Sequence, residues 1–447
     1  MSSSFNSEGV IVVNCGAASW VAGFADEGGP TLVLPSSTEW SSLEQLWRST
    51  YDSLSVEPSS HPVLLTGSEA TPGLAHQTMR FLFDELHVPA FCAMSAPLLA
   101  LMASNRTTGV VLDVGESATR VIPFFEGHAL LGGGLSTTLA GASCDALLAR
   151  ALDSQAAAGA PSHRPLSSEE LKTLKETHGF VVEALGGATP VGAPPAAPII
   201  HELEDGTIIR LGAAARSASA EALFRPQLAI NSGINVAEGG SVEGGSVEGG
   251  SVEGGSARAP LGVHELVHRA VELCSTEVRS ELYANILICG GTSLFTGFAW
   301  RLEVELRALT GREVRIIATP ERMIAPWLGG AQCAELDSFE THWLAKKTYE
   351  THAADAATTA AKGASNLRDA EARAAAAGEA LVHARFWVPP ALTPADAVKQ
   401  QKAERVADAR TRREEDAAAR AKTAVLAARG RGEWMAAADE AAPERLV

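Results

Sequence analysis

Two copies of one short design constrain this chain more than anything else in it. The first reads Val10-Ile11-Val12-Val13-Asn14-Cys15-Gly16-Ala17-Ala18-Ser19-Trp20-Val21-Ala22-Gly23-Phe24-Ala25, an apolar strand, a turn of small residues and a returning strand. The second lies within Thr107 to Pro123: a buried strand over 109–112 enters the turn Asp113-Val114-Gly115-Glu116-Ser117-Ala118 and returns over 119–123. One Asp-x-Gly turn is ordinary hairpin chemistry. Two hairpins of the same build predict a duplicated architecture with a ligand gripped between the halves. Their small residues leave backbone N–H groups open to a phosphate, and Asp113 at a strand end is placed to hold a hydrated divalent cation. A third glycine turn, Ile286-Leu287-Ile288-Cys289-Gly290-Gly291-Thr292-Ser293, ends another apolar strand and precedes a helix predicted over 297–309. Paired glycines let backbone approach a ligand closely, and a helix N-terminus favours an anion.

Further stretches extend the pattern: Ala22-Gly23-Phe24-Ala25, His61-Pro62-Val63-Leu64-Leu65-Thr66, Arg106-Thr107-Thr108-Gly109, Leu282-Tyr283-Ala284-Asn285, Gly290-Gly291-Thr292, Pro320-Glu321-Arg322, and Trp327-Leu328-Gly329-Gly330 with Trp343. In this order, over most of residues 9–350, the chain resembles actin and the actin-related proteins. No single stretch is specific, but the ordered set is. The resemblance implies an α/β, actin-like two-lobed fold of duplicated ribonuclease-H-like domains, with ATP or ADP and Mg2+ as ligands. The partners it implies are actin or other subunits of actin-related complexes.

Carried over position by position, the resemblance also marks departures. In the family the first phosphate hairpin holds an acid at the strand end, a serine and a glycine in the turn, and a lysine that reaches the phosphates. Those positions here are Asn14, Ala17, Ala18 and Val21. The second hairpin keeps Asp113 and Gly115, with Glu116 for a second aspartate and Arg120 where a histidine near the attacking water is usual. Ser95 stands where a glutamine helps to place that water. Lys175 and Glu176 match a pair flanking the adenosine, Gly290, Gly291 and Thr292 match the diphosphate and base loop, and Met323 replaces the lysine after Pro-Glu-Arg. The implied nucleotide contacts are therefore Gly16, Asp113, Gly115, Glu116, Lys175, Glu176, Gly290, Gly291, Thr292 and Met323, with Asp113 the retained acid that holds the ion through water. Losing a charge-assisted contact costs on the order of 1.5 to 3 kcal/mol, so the missing lysine alone weakens phosphate binding by roughly tenfold to a hundredfold. Water positioning and proton transfer contribute typically ~10² to 10⁴ in rate, so a degraded ATPase site is expected. Plainer readings stand beside these: an exposed charge pair for Lys175 and Glu176, and a turn needing positive φ for Gly290 and Gly291.

With 447 residues the chain exceeds one ordinary core, and 46% hydrophobic residues make it globular. No apolar run approaches the roughly 18 residues of a membrane helix. The Ser-rich start has no signal-peptide pattern. Six cysteines without a Cys-x-x-Cys pair read as buried thiols in a reducing compartment. A net charge of −17 argues against a general nucleic-acid surface while leaving room for a basic partner. The expected location is the cytoplasm and its cytoskeleton, with the nucleus as an alternative. Nucleophile elbows around Ser143, Ser217 and Ser219, metal-ligand spacing among the histidines, and a phosphate-loop lysine motif are all missing from the sequence.

The predicted organisation is a first lobe over 1–140, a second over 141–336, a helix over 337–349 returning the chain to the first lobe by residue 350, and an Ala-rich charged extension over 351–447. In the first lobe a strand is expected over 31–35, helices over 43–54, 78–86, 96–104 and 143–151, and a strand over 61–66. Between Pro35 and Trp40 stand Ser36, Ser37, Thr38 and Glu39, where the family carries a small outer subdomain with the loop that grips the next subunit of a filament. Most of that subdomain is missing. In the second lobe the patterns predict a capped helix over 168–178, a loop over 184–198 and a hairpin about Glu204-Asp205-Gly206-Thr207. They also predict a flexible acidic repeat of Gly-Gly-Ser-Val-Glu over 236–256, a helix over 264–279 and a strand over 314–318. In the extension, Thr393-Pro394-Ala395-Asp396 begins a helix that is solvated or partner-binding. These features point to a divergent, non-filament-forming member of a cytoskeletal or chromatin-associated complex. The alternative is a conventional ATP-hydrolysing protein that polymerises.

Overall fold

In a computed structural model of the chain the described residues are 9–67, 73–130, 132–157, 164–182, 198–239 and 260–351, all within a compact unit spanning Met1–Pro390. Nearly all of the 184–198 loop, most of the acidic repeat and almost all of the 351–447 extension lie outside the described residues.

The first sheet begins as an antiparallel meander of β1 (Ile11–Cys15), β2 (Ser19–Phe24) and β3 (Leu32–Pro35). Helix α1 (Trp40–Leu54) then carries the chain to β4 (Val63–Thr66), parallel to β1, and α2 (Leu74–Asp84) carries it to β5 (Ala90–Met94), parallel to β4. After α3 (Ala96–Ala103), the design repeats. Strands β6 (Gly109–Val114), β7 (Thr119–Phe125), β8 (His128–Ala129) and β9 (Leu135–Thr137) form the second meander. The return to β6 is much longer, through α4 (Gly141–Ala157), α5 (Ser168–His178), the hairpin β10 (Ile199–Glu202) and β11 (Ile208–Leu211), α6 (Ala213–Phe224), α7 (Gln227–Asn231), β12 (Glu238–Gly239), α8 (Val263–Glu272) and α9 (Arg279–Tyr283). Strand β13 (Ile286–Cys289) lies parallel to β6, and after α10 (Phe298–Thr310), β14 (Ile316–Ile317) lies parallel to β13. The spatial order β5-β4-β1-β2-β3 thus recurs as β14-β13-β6-β7-β9. The expected α/β class and duplicated architecture are present.

Apolar patterning explains the packing. Helix α1 buries Leu43, Trp47, Thr50 and Tyr51 on one face. Trp20 of β2 meets Trp47 edge-on at 4.9 Å and donates to Thr50 Oγ1 at 2.9 Å. Helix α3 is apolar all round and so belongs inside, paired with α11 (Ala325–Ala334). One core joins these helices to Val12 and Leu64 of the first sheet and to Val111 and Leu287 of the second. Trp327 donates its indole N–H to Val12 O at 2.9 Å. At Gly329 the backbone of α11 comes so close to the Leu99 carbonyl of α3 that a Cβ has no room.

Several sequence expectations need correction. The helix expected over 264–279 is two helices, α8 and α9, because the Arg279 side chain folds back on the end of α8, donating to Cys274 O at 2.9 Å and pairing with Glu272 at 2.6 Å. The expected 337–349 helix is a 3-10 segment over Asp337–His342, a short strand β15 (Leu344–Ala345) and helical residues 346–351. Edge pairing wins there: Leu344 lies opposite Phe91 of β5, and Lys346 N donates to Pro89 O at 2.9 Å. The start of the acidic repeat is not all loop, since Glu238 and Gly239 pair with Thr137 and Ser136. Helix α2 begins at Leu74 rather than at 78, and α4 spans Gly141–Ala157 rather than 143–151.

Substituting G329A should destabilise the fold by about 1 to 3 kcal/mol, the usual cost of overpacking, although alanine is the better helix former. At Gly29, where nothing lies within 4 Å of an added Cβ, alanine should change stability by less than about 0.5 kcal/mol. Urea denaturation of the two variants measures both.

Candidate functional site

The β1–β2 and β6–β7 turns are built alike. Gly16 N donates to Ser19 O at 2.9 Å, and Gly115 N donates to Ala118 O at 3.1 Å. Each hairpin is flanked by a parallel strand that ends on a glycine of positive φ, Gly67 at 81° after β4 and Gly290 at 87° after β13. A Cβ at Gly67 would lie 2.6 Å from Asn14 Oδ1, and one at Gly290 would lie 2.7 Å from Asp113 Oδ1. Asn14 and Asp113 are therefore counterparts, each wedged against its own glycine. Gly290 is required by this turn whatever binds, as its plainer reading held. Gly291 differs, because the nearest atom to an added Cβ is Met323 Cγ at 3.7 Å.

Between the two turns lies a cavity of about 240 Å³. Gly16, Asp113, Gly115, Glu116, Lys175, Glu176, Gly290, Gly291, Thr292 and Met323 all line it, with Asn14, Ala17 and Ala18. Val21 and Ser95 are not among its lining residues. Val21 is fully buried in the core beneath the first turn, and Ser95 stands at the residue before α3 without a side-chain capping bond, while its neighbour Ala96 reaches the cavity. Leu294, Phe295, Met323 and Pro326 give it an apolar wall. On the polar side, the backbone N–H groups of Ala17, Ala18, Glu116 and Ser117 carry no hydrogen bond within the protein.

Helix α5 enters as the sequence predicted, with Ser167 Oγ accepting from Glu170 N at 3.2 Å and Glu170 Oε2 accepting from Ser167 N at 2.8 Å. Lys175 is not half of an exposed pair. Its side chain is 3% exposed, and its Nζ lies 3.0 Å from Asp145 and 3.6 Å from Glu116 while donating to Gly141 O at 3.3 Å. Burial works against the Lys175 charge, but Asp145 and Glu116 outweigh it and hold the ammonium above its ordinary value. Asp145 is pushed up to about 6, first by burial and further by Glu116, with Lys175 opposing. Thr292 Oγ1 donates to Gly115 O at 2.8 Å, and Gly141 N donates to the same carbonyl at 3.0 Å, so the third turn and the start of α4 are pinned to the second hairpin.

Asp113 faces Arg120 across the β6–β7 ladder, with Nη1 3.5 Å from Oδ2. Burial pushes the Asp113 carboxyl up, while Arg120 and the Cys289 thiol pull it down. Two contributors were missed in the sequence. Lys172 lines the cavity one turn before Glu176, and helical spacing from the predicted α5 would have found it. Asp145 carries no local signal, since its link to Lys175 spans 30 residues.

A duplicated α/β fold with a ligand-sized cavity between two matched hairpins defines the class of protein. A family model described as Actin matches residues 37–362, and this chain belongs to the actin family. Strands β1 to β3 precede the matched residues, and the internal repeat joins them to the same fold. Members of the family usually bind ATP or ADP with Mg2+. The cavity suits a nucleotide, with an apolar wall for a base and open N–H groups for phosphates. It suits a hydrated divalent ion poorly, since the retained Asp113 is engaged by Arg120 and its counterpart Asn14 is neutral. Among the described residues no three His, Cys, Asp or Glu side chains are grouped to hold a metal ion, and no helix is long and apolar enough to cross a membrane.

Two outcomes are expected here. K175M leaves Asp145 and Glu116 without their buried cation and should cost about 3 to 5 kcal/mol in urea unfolding, part of which K175M/D145N recovers. Asp145 titrates at about 6 in the folded state, above an unfolded value of about 3.9. Between these values the folded protein holds a proton that the unfolded chain has released. The stability Asp145 contributes is thus complete below about pH 4 and is lost as pH rises through about 6. D145N should flatten that falling limb of the pH–stability profile.

Proposed function

We propose that this chain is a divergent actin-related protein that joins a cytoskeletal or chromatin-associated complex as a subunit or binding partner without forming filaments. It holds ATP or ADP as a weakly bound, structural ligand. The observation that carries this reading is the link between β3 and α1. In the second half of the fold the corresponding passage from β9 to β13 runs through an added lobe, where Leu148, Leu152, Leu174, Leu203, Ile209 and Leu211 share a core of their own. In the first half the passage from β3 to β4 holds only Ser36, Ser37, Thr38 and Glu39, helix α1 and a short link, with no lobe added before α1. Four residues reach at most about 14 Å when extended, enough to join a strand to a helix and too few to build a lobe. A filament repeats one heterologous contact and grows only if every subunit carries both complementary surfaces. A subunit lacking the outer one joins or caps an assembly and does not extend it.

Turnover is expected near background. The position that should present a lysine is Val21, sealed in the core, and Ser95 is outside the cavity lining. The polymerising ATPase reading needs both positions to act on a phosphate. Partners are then actin or other subunits of actin-related complexes, in the cytoplasm or the nucleus. The lobe limits 1–140 and 141–336, and a partner-binding role for 351–447, belong to the same proposal.

Under magnesium and salt conditions that polymerise actin, the purified protein should stay monomeric or pair with a specific partner. Sedimentation with electron microscopy at rising concentration tests this, and long regular filaments of the protein alone would refute it.

A further inference from the structure

We propose that Arg120 takes the place of the divalent cation in this cavity, so that the chain binds the diphosphate of an adenine nucleotide without metal. The inference rests on the nucleotide reading above and adds to it the source of positive charge.

The backbone sets the position of this charge. Asp113 and Arg120 are direct partners in the β6–β7 ladder, and the Arg120 side chain is 13% exposed, with Nη1 3.5 Å from Asp113 Oδ2. A hydrated divalent ion on the Asp113 carboxylate would meet a guanidinium that the register holds in place, and like charges so close repel strongly in a poorly solvated site. Nothing on the opposite hairpin offsets this, because the counterpart of Asp113 is the neutral Asn14. The carboxylate next to the second turn, Glu116, lies beside the buried Lys175 ammonium.

The guanidinium also has capacity to spare. It carries five N–H donors, its contact to Asp113 is long, and its Nε is buried with no hydrogen-bond partner. A planar fork with unused donors matches the paired oxygens of a phosphate. Arg120 lines the cavity beside Glu116 and Ser117, whose N–H groups are open, and Lys172 lines it from α5. Val21 has removed the phosphate-facing charge from the first hairpin, and Arg120 restores one from the second.

Calorimetry with ATP and with ADP, each in Mg2+ and in EDTA, tests this on the full chain and on R120Q. The wild type should bind with affinities that agree within about threefold between the two buffers. R120Q should bind about tenfold to a hundredfold more weakly in EDTA. Because it frees Asp113, R120Q should recover affinity when Mg2+ is present. Wild-type binding that weakens more than about tenfold in EDTA, or an R120Q affinity equal to the wild type, overturns the inference and leaves the nucleotide reading standing. If neither nucleotide binds the wild type in either buffer, the nucleotide reading itself fails and takes the inference with it. Should R120Q not fold, the wild-type comparison remains decisive, and R120Q/D113N, which removes both charges together, supplies the second variant.

Discussion

The fold depends on how closely α3 and α11 approach between the two sheets. Each sheet buries one face against this pair, so the distance between the helices sets the distance between the hairpins. Gly329 has no room for a side chain against the Leu99 carbonyl, and Trp327 ties α11 to Val12 of β1. A looser contact would let the two turns drift apart and open the cavity. The small residues here are thus a requirement of the site although none of them touches a ligand. Glycine lowers helix stability by about 1 kcal/mol in isolation, and the packing it allows outweighs that cost.

At the cavity the duplication shows what has changed. Two hairpins with matched turns and matched glycines differ in charge at the position where each lines the cavity, Asn14 against Asp113. On the returning strand of the first hairpin Val21 pairs with Asn14, and on that of the second Arg120 pairs with Asp113. Charge has thus been withdrawn from one side of the cleft and balanced internally on the other. Lys175 follows the same logic. Its contacts to Asp145, Glu116 and Gly141 make it a buried tie between α4, α5 and the second turn, with its donors committed inside the protein. Buried ion pairs of this kind contribute little net stability but are costly to break, so they hold a geometry.

Much of this was legible in the sequence because it is local. Apolar runs ending in small-residue turns give the hairpins, the capping box at Ser167 gives α5, and glycines at 297 and 311 bracket α10. What escaped was decided by partners far along the chain. Strand β5, only five residues long and followed at once by a helix, is stabilised by β4 and β15 on either side. Helix α11 carries two adjacent glycines, an unfavourable local signal reversed by the close contact with α3.

The sequence by itself determined the duplicated hairpins, the ten residues gathered round one cavity, and the four-residue passage from Pro35 to Trp40. The hairpins follow from periodicity and turn chemistry, which act between neighbours, while the ten residues and the missing lobe follow from the resemblance to the actin family. Only the tertiary structure decided which charges are available to a ligand. Lys175 read as either a neighbour of the adenosine or half of an exposed charge pair, and its ammonium is spent on Asp145, 30 residues away. Arg120 stood where the family has a histidine and proved to be the partly buried partner of Asp113. Charge pairing in a poorly solvated interior depends on distances between elements, and no local pattern in a chain encodes them.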